Sequence, residues 1–422
     1  MKLSSFFNRL KWIGVAFLVI FSFLFLGGLH VGALSVRMIV AYGLFAFALL
    51  FGSNNYEPTK GMKMYYVYIL VYILVNILGY TAFSGVFIKD LIAVHFVCCI
   101  IIFAFPRIFK TEASIWGAYI VIVIGFIFNA IVTILQSQNA PLGWAIGMFI
   151  NPTEIDELEI MQAKIADIGE LKKSVVIGIM GRSTANGYFI ATILPVITYY
   201  LWDRLKLKSL WSFVLIVIAV ICVYFIQQRM ALIVVATYII CVILFKKTPW
   251  LLKIIMISII LFSIIYYWDS IMSFDYTQAG RLFYAHDERR TNTIVVLKDF
   301  LNDPIQLLVG NNRVIDEQEY EIFLIIGHNT FTDTIRMGGL FLFIPYLILF
   351  YCLCKTLIDI FIFSRKVNDY RTMGMAMGCL CFLLYSQTHS TGVQSGSIMF
   401  WTLYMLCVQS YRLRRQLIDY HL

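Results

Sequence analysis

The sequence predicts an all-α polytopic membrane protein with about 12 transmembrane helices and two long outer loops. Three observations carry this. The 422 residues are 61% apolar and only 14% charged, with a mean hydropathy of +0.83, a composition outside the soluble globular range. The apolar residues fall in runs long enough to cross a bilayer. Lys and Arg fall in every second short connection.

The runs are approximately 12–29, 33–51, 64–83, 91–105, 114–137, 184–202, 210–226, 230–245, 250–268, 337–354, 372–388 and 394–411. In lipid each must be helical, because no water is present to satisfy the backbone. The 91–105 run is the shortest. The first run follows a basic start, and it is long enough to span, so no cleavable leader is expected.

Orientation follows from charge. With the amino terminus inside, the inner segments hold Lys2, Arg9 and Lys11; Lys60 and Lys63; Arg107 and Lys110; Arg204, Lys206 and Lys208; Lys246 and Lys247; Arg365, Lys366 and Arg371; and Arg412, Arg414 and Arg415. The short outer connections carry little beyond Lys89 and Arg229. This alternation places both termini in the cytoplasm. The chain reads as one membrane-embedded unit, 1–422, with outer loops at 138–183 and 269–336. In the first loop, Ile155, Leu158, Ile160, Met161, Ile165, Ile168 and Leu171 recur at near-helical spacing, as in an interfacial helix. In the second, a helical stretch from near Arg289 is expected to end at Pro304 and Gly310.

Several function classes are excluded by pattern. The 33 basic residues outnumber 24 acidic ones, but their placement sets topology and does not suggest nucleic acid. All nine cysteines lie inside apolar runs without metal-ligand spacing, so they read as small packing residues. There is no Walker loop, no dinucleotide-binding glycine signature and no Asp-x-Asp pair of the kind that holds a metal on a nucleotide sugar. The acidic run 316–321 reads as a solvated face.

The candidate functional residues are charges that topology does not require. Arg182, Arg229, Arg281, Arg289, Arg290, Arg313 and Arg336 all fall on the outer side. An arginine at the mouth of a bundle is costly unless it meets water or an anion, and its planar fork suits phosphate oxygens. Arg229 stands in a tight turn between two strongly apolar runs. Arg37, near the outer end of its span, reads as a snorkelling or structural side chain, and His95, inside a span, as a packed or hydrogen-bonded one. His328 stands where the second loop re-enters the membrane in "IIGHNTFTDTIRMGG". A histidine there can accept a proton near neutral pH. Asn329 and Thr330 can cap the helix that follows.

Four stretches together resemble the O-antigen polymerase and ligase family of bacterial envelope enzymes. They are "GRSTANGYFIATILP" (181–195), "QQRMAL" (227–232), "DERRTNTIVVLKDFLNDPIQLLVGN" (287–311) and "GHNTFTDTIRMGGL" (327–340). The last is similar to the family's His-Asn element, followed about ten residues on by a glycine, here Gly338 or Gly339. Ligases tend to place a small or hydroxyl residue three positions after that glycine. Leu342 stands there, which favours a polymerase.

The resemblance implies a C-type glycosyltransferase-like fold in the bacterial inner membrane, with periplasmic loops and no metal or other cofactor. The donor it implies is a glycan on undecaprenyl pyrophosphate. His328, Arg289 and Arg229 would be catalytic. Arg290, Arg182, Asn329, Arg336 and Arg281 would bind substrate. The implied partners are membrane lipids and the chain-length regulator and flippase of the same pathway. A ligase acting on lipid A-core is the alternative, and a polysaccharide flippase the rival of a different class; the latter normally shows midplane charges and two related halves, which this sequence lacks.

Overall fold

The computed structural model describes residues 3–32, 34–52, 56–78, 85–151, 176–181, 183–199, 207–226, 229–245, 250, 254–255, 258, 262, 304–310, 329–387 and 392–421. The described chain is helical almost throughout. α1 (Leu3–Ala16) runs through a π-helical turn (Phe17–Phe21) into α2 (Ser22–Phe25). A minimal hairpin, β1 (His30–Val31) with β2 (Leu34–Ser35), turns the chain into α3 (Val36–Phe51). Then come α4 (Lys60–Leu78), α5 (Gly85–Asp90), a second π turn (Leu91–His95), α6 (Phe96–Ile108), α7 (Glu112–Ser137) and α8 (Pro141–Ile150). After these lie α9 (Ser183–Ile197), α10 (Leu207–Ile226), α11 (Arg229–Phe245) and the short α12 (Pro304–Val309). α13 (Thr330–Lys366), α14 (Tyr370–Ser386), a 3-10 turn (Val393–Ser395) and α15 (Ile398–His421) complete the chain.

Among the described residues, five helical stretches are long and apolar enough to cross a membrane: Phe7–Phe25, Lys60–Leu78, Phe87–Ile108, Glu112–Ser137 and Thr330–Lys366. Shorter apolar helices, α3 and α8 through α11 among them, pack beside these. The short 91–105 run is thus only part of a longer stretch, Phe87–Ile108, which the π turn at Leu91–His95 carries without a break. The expected 250–268 span and the expected helix at 155–171 lie largely or wholly outside the described residues.

The helices pack through small residues, the usual device where lipid offers no hydrophobic drive between them. On α14, a Cβ at Gly374 would come within 2.6 Å of the Pro195 carbonyl oxygen, and one at Gly378 within 2.6 Å of that of Thr192, so α9 lies directly on this face. On α7, Gly117 meets the Trp12 backbone and Gly125 the Phe25 ring. Gly61 of α4 meets Leu353 of α13, and one turn-pair along, Tyr68 meets Tyr346 with ring centroids 6.1 Å apart; the two helices are therefore antiparallel.

Alternating helix ends gather at two faces. One is rich in basic residues. There the Arg9 guanidinium lies over the Trp116 ring, Arg371 pairs with Glu112, and Arg412 lies 4.4 Å from the Tyr56 ring centroid and donates to the Glu57 carbonyl. A cavity of about 820 Å³ opens at this end beside Tyr56, Glu57, Asp359, Arg412, Arg415 and Asp419. Burial pushes the Tyr56 phenol up to about 12 despite the neighbouring Arg412, so it stays neutral. At the opposite face, Gly28 meets Asn151, Thr330 meets Gln387, and α12 meets α13. Arg9, Arg107, Arg371 and Arg412, four of the residues expected on the inner side, fall at the first face.

Candidate functional site

The start of α13 is built by its own sequence. Asn329 is the N-cap, with its side-chain oxygen accepting from the Phe331 N–H at 2.8 Å. Thr332 donates to the Asn329 carbonyl and Thr334 to that of Thr330. Thr330 is fully buried and its hydroxyl donates to Gln387, at the end of α14, at 3.3 Å. The Phe331 ring wedges between Phe343, Tyr346 and Phe350. α13 therefore begins seven residues before the expected 337–354 span and continues to Lys366. At 1.5 Å per residue its 37 residues reach roughly 55 Å, well beyond a hydrocarbon core of about 30 Å.

The excess length is divided at a glycine pair. Gly338 (φ −151°, ψ 17°) and Gly339 (φ 56°, ψ −155°) leave the helical region. Against this kink rests α12, and the contact is backbone on backbone. A Cβ at Gly310, where φ is +77°, would lie 2.6 Å from the Gly338 nitrogen and 2.7 Å from the Arg336 oxygen. One at Gly339 would lie 2.4 Å from the Leu308 carbonyl carbon. Three glycines are needed because nothing larger fits and two of the backbones are left-handed. Pro304 opens α12, as its fixed φ suits a first helical residue. The expected helix from near Arg289 up to Pro304 lies outside the described residues.

Beneath the first turn of α13 sits Asp333, 3% exposed. Neither of its carboxylate oxygens has a hydrogen-bond partner among the described residues. Among the described residues, the charge paired with it is Arg336, 3.8 Å away and one turn along, whose side chain is 24% exposed. The hydroxyl of Tyr346, likewise buried, is also without a hydrogen-bond partner among the described residues.

A second polar cluster at the same face joins α7, α8 and α9. Gln136 is fully buried and uses its whole amide. Its oxygen accepts from Ile177 N–H (3.1 Å) and Gly178 N–H (2.8 Å), and its nitrogen donates to the Gly143 (3.1 Å) and Gly178 (3.2 Å) carbonyls. Asn129 donates to Asn186 (2.7 Å) and accepts from Ile179 N–H (3.0 Å), while Asn186 donates to Thr133 (3.1 Å). Asn151 donates to the Ile179 carbonyl and accepts from Gly28 N–H. The cluster is a clasp around 176–181, the segment that leads into Arg182. The loop expected over 138–183 thus starts with an apolar helix, α8, fastened to the bundle.

Of the expected site residues, Asn329 and Arg336 are described, and both stand at the α12–α13 junction. Arg229 begins α11, where only its backbone is described. His328, Arg289, Arg290, Arg182, Arg281 and Arg313 lie outside the described residues. Arg37 donates to the Leu24 carbonyl at 3.3 Å and closes on Gly27, in keeping with a structural partner. His95 is buried against the Tyr65 hydroxyl at 3.2 Å, as its place in a span suggested. Sequence reasoning noted Asp333 behind His328 without giving it a role, and passed over the Asn129–Gln136–Asn186 clasp. The available signal was amide side chains within an apolar run.

In comparisons with known proteins, no family model and no curated protein matches this chain.

Proposed function

We propose that this chain is a glycosyltransferase of the bacterial inner membrane. It polymerises oligosaccharide repeat units carried on undecaprenyl pyrophosphate, at the outer face, through a bundle of about 12 spans with two periplasmic loops and cytoplasmic termini. The observation that carries the reading is the α12–α13 junction. It fastens the stretch that follows Arg289 and Arg290 to the helix that follows His328 and Asn329, at the face away from the basic clusters. In such an enzyme the acceptor hydroxyl attacks the anomeric carbon of the donor. The bond from that carbon to phosphate oxygen breaks, and the lipid pyrophosphate leaves with the electron pair. Arg229 and Arg289, with Arg290 beside them, would stabilise the charge that develops there. His328 would take the proton of the acceptor hydroxyl. Arg182, Arg281, Arg336 and Asn329 would line the donor path and hold the reactants in place.

Gel analysis of envelope glycans from a strain deleted for this gene tests the reading. Lipid A-core bearing a single repeat is the expected result. Unmodified lipid A-core with long lipid-linked chains accumulating would mean a ligase instead, and repeat units trapped on the cytoplasmic face would mean a flippase.

A further inference from the structure

We infer that the cavity at the basic face binds the headgroup of a zwitterionic aminophospholipid, its phosphate on Arg412 and Arg415 and its ammonium group on Glu57 and Asp359. The site does not depend on the reaction proposed for the opposite face. The cavity holds about 820 Å³ and is lined by the approach to α4, by α13 and by α15. That volume is ordinary for a small-ligand site. Sequence spacing builds two of its walls. Thr356, Asp359 and Ile360 fall at i, i+3 and i+4 on α13, and Val408, Tyr411, Arg412, Arg415 and Asp419 share one side of α15. Ile360 and Val408, both buried, make its depth apolar. The hydroxyls of Thr59 and Tyr404, 3.0 Å apart, fasten the α4 approach to α15.

The charges are sorted by wall. α15 carries both guanidinium groups, whereas the α4 approach and α13 bring one carboxylate each, Glu57 and Asp359. These opposite charges do not meet. The ion pairs among the described residues are Arg336–Asp333, Arg371–Glu112 and Arg415–Asp419, so Glu57 and Asp359 stand beyond ion-pair distance of both arginines. Arg412 is fixed in place, over the Tyr56 ring at 4.4 Å and donating to the Glu57 carbonyl. A guanidinium has five N–H donors, so others remain for an anion. On a flat surface such charges are left to water at little cost. A cavity that holds them on separate walls, too far apart to pair, fits a ligand carrying both signs. A phosphodiester suits the guanidinium fork, and a primary ammonium offers N–H donors to both carboxylates. The phosphoethanolamine headgroup joins these two groups through a short linker. The border of the cavity favours a lipid over a soluble zwitterion. Ile358 and Ile362 on α13 and Leu417 on α15 are exposed there, an apolar surface for acyl chains. The basic helix ends place the cavity at headgroup level, in the inner leaflet by the positive-inside rule.

The test uses full-length protein purified in detergent. It is titrated with phosphatidylethanolamine, phosphatidylglycerol or phosphatidylcholine in mixed micelles, and bound lipid is counted by native mass spectrometry. Phosphatidylglycerol lacks the cation, and the choline headgroup has no N–H to donate. Each should bind about tenfold more weakly than phosphatidylethanolamine, the sum of two modest exposed charge contacts. The double variant Glu57→Gln/Asp359→Asn should lower phosphatidylethanolamine to the level of phosphatidylglycerol and leave phosphatidylglycerol no weaker. Arg415→Gln should weaken both. Lys355→Gln and Arg414→Gln, exposed but outside the cavity lining, should be silent. Equal binding of the three lipids would mean an annular lipid only and overturn the inference. So would tightest binding of phosphatidylglycerol, which would make the site a plain anionic-lipid patch, or a double variant that keeps the wild-type preference. Free phosphoethanolamine that displaces the lipid at equal concentration would assign the cavity to a soluble ligand and overturn the lipid. A wild-type dimer that the double variant loses, with no lipid preference in either, would assign it to a second copy of the chain and overturn it as well.

Discussion

The two polar clusters at the face away from the basic residues differ in one respect. In the clasp, Gln136 makes four hydrogen bonds to backbone and Asn129 and Asn186 complete each other. At the head of α13, Asp333 is as deeply buried but has no hydrogen bond among the described residues and one cation at 3.8 Å. A satisfied network fastens chain segments, and its value is measured in stability. An unsatisfied buried charge weakens the fold, and it persists where it serves something else. The clasp therefore reads as architecture, and the Asp333–Arg336 pair as the less well satisfied arrangement, beside the proposed site.

The largest effect should come from the junction on which that site stands. Gly339→Val places a branched side chain on a left-handed backbone and into the Leu308 carbonyl. It should abolish polymer formation, whereas Gly43→Ala, with nothing within 4 Å of the new methyl, should be silent. Polymer levels in membranes carrying equal amounts of each variant would check this. Gln136→Leu comes next. It strips partners from two N–H groups and two carbonyls, and at about 1–3 kcal/mol for each buried orphan it should lower stability by at least about 3 kcal/mol. Thermal unfolding in detergent would show the drop.

The helical bundle was legible in the sequence because lipid leaves so few options: apolar runs and basic connections suffice. Asn329 as a cap was legible too, since capping is local and needs only a short polar side chain before a helix. The junction was only half legible. Gly338 and Gly339 stood out in "RMGGL", but their contact with Gly310 joins positions nearly thirty residues apart, and no local propensity encodes it. Pro304 illustrates the limit directly, since the same ring that ends one helix can open another. The clasp was not read because its amides match backbone atoms of other segments, and those partners carry no side-chain signature. Asp333 was hidden for a related reason: an Asp three residues before an Arg at a helix start looks like a surface pair, and only packing shows that one member is buried.

Smaller effects separate the clusters further. Asn329→Ala should cost about 1 kcal/mol, the ordinary value of a helix cap, read as a modest fall in melting temperature. Asp333→Leu should change melting least, or raise it, because exchanging a poorly paired buried charge for a hydrocarbon of similar size is often neutral or stabilising. A Leu variant at Asp333 that unfolds as readily as Gln136→Leu would remove the contrast between the two clusters.

The central claim is that this chain itself joins lipid-linked glycans at the α12–α13 face. Its most direct test is incubation of the purified protein with a lipid-linked repeat unit in detergent, with no membrane gradient, beside the His328→Ala and Arg289→Ala variants. The account predicts a ladder of polymer from the wild type and none from either variant. A wild type that forms no ladder, or variants that match it, would contradict the account.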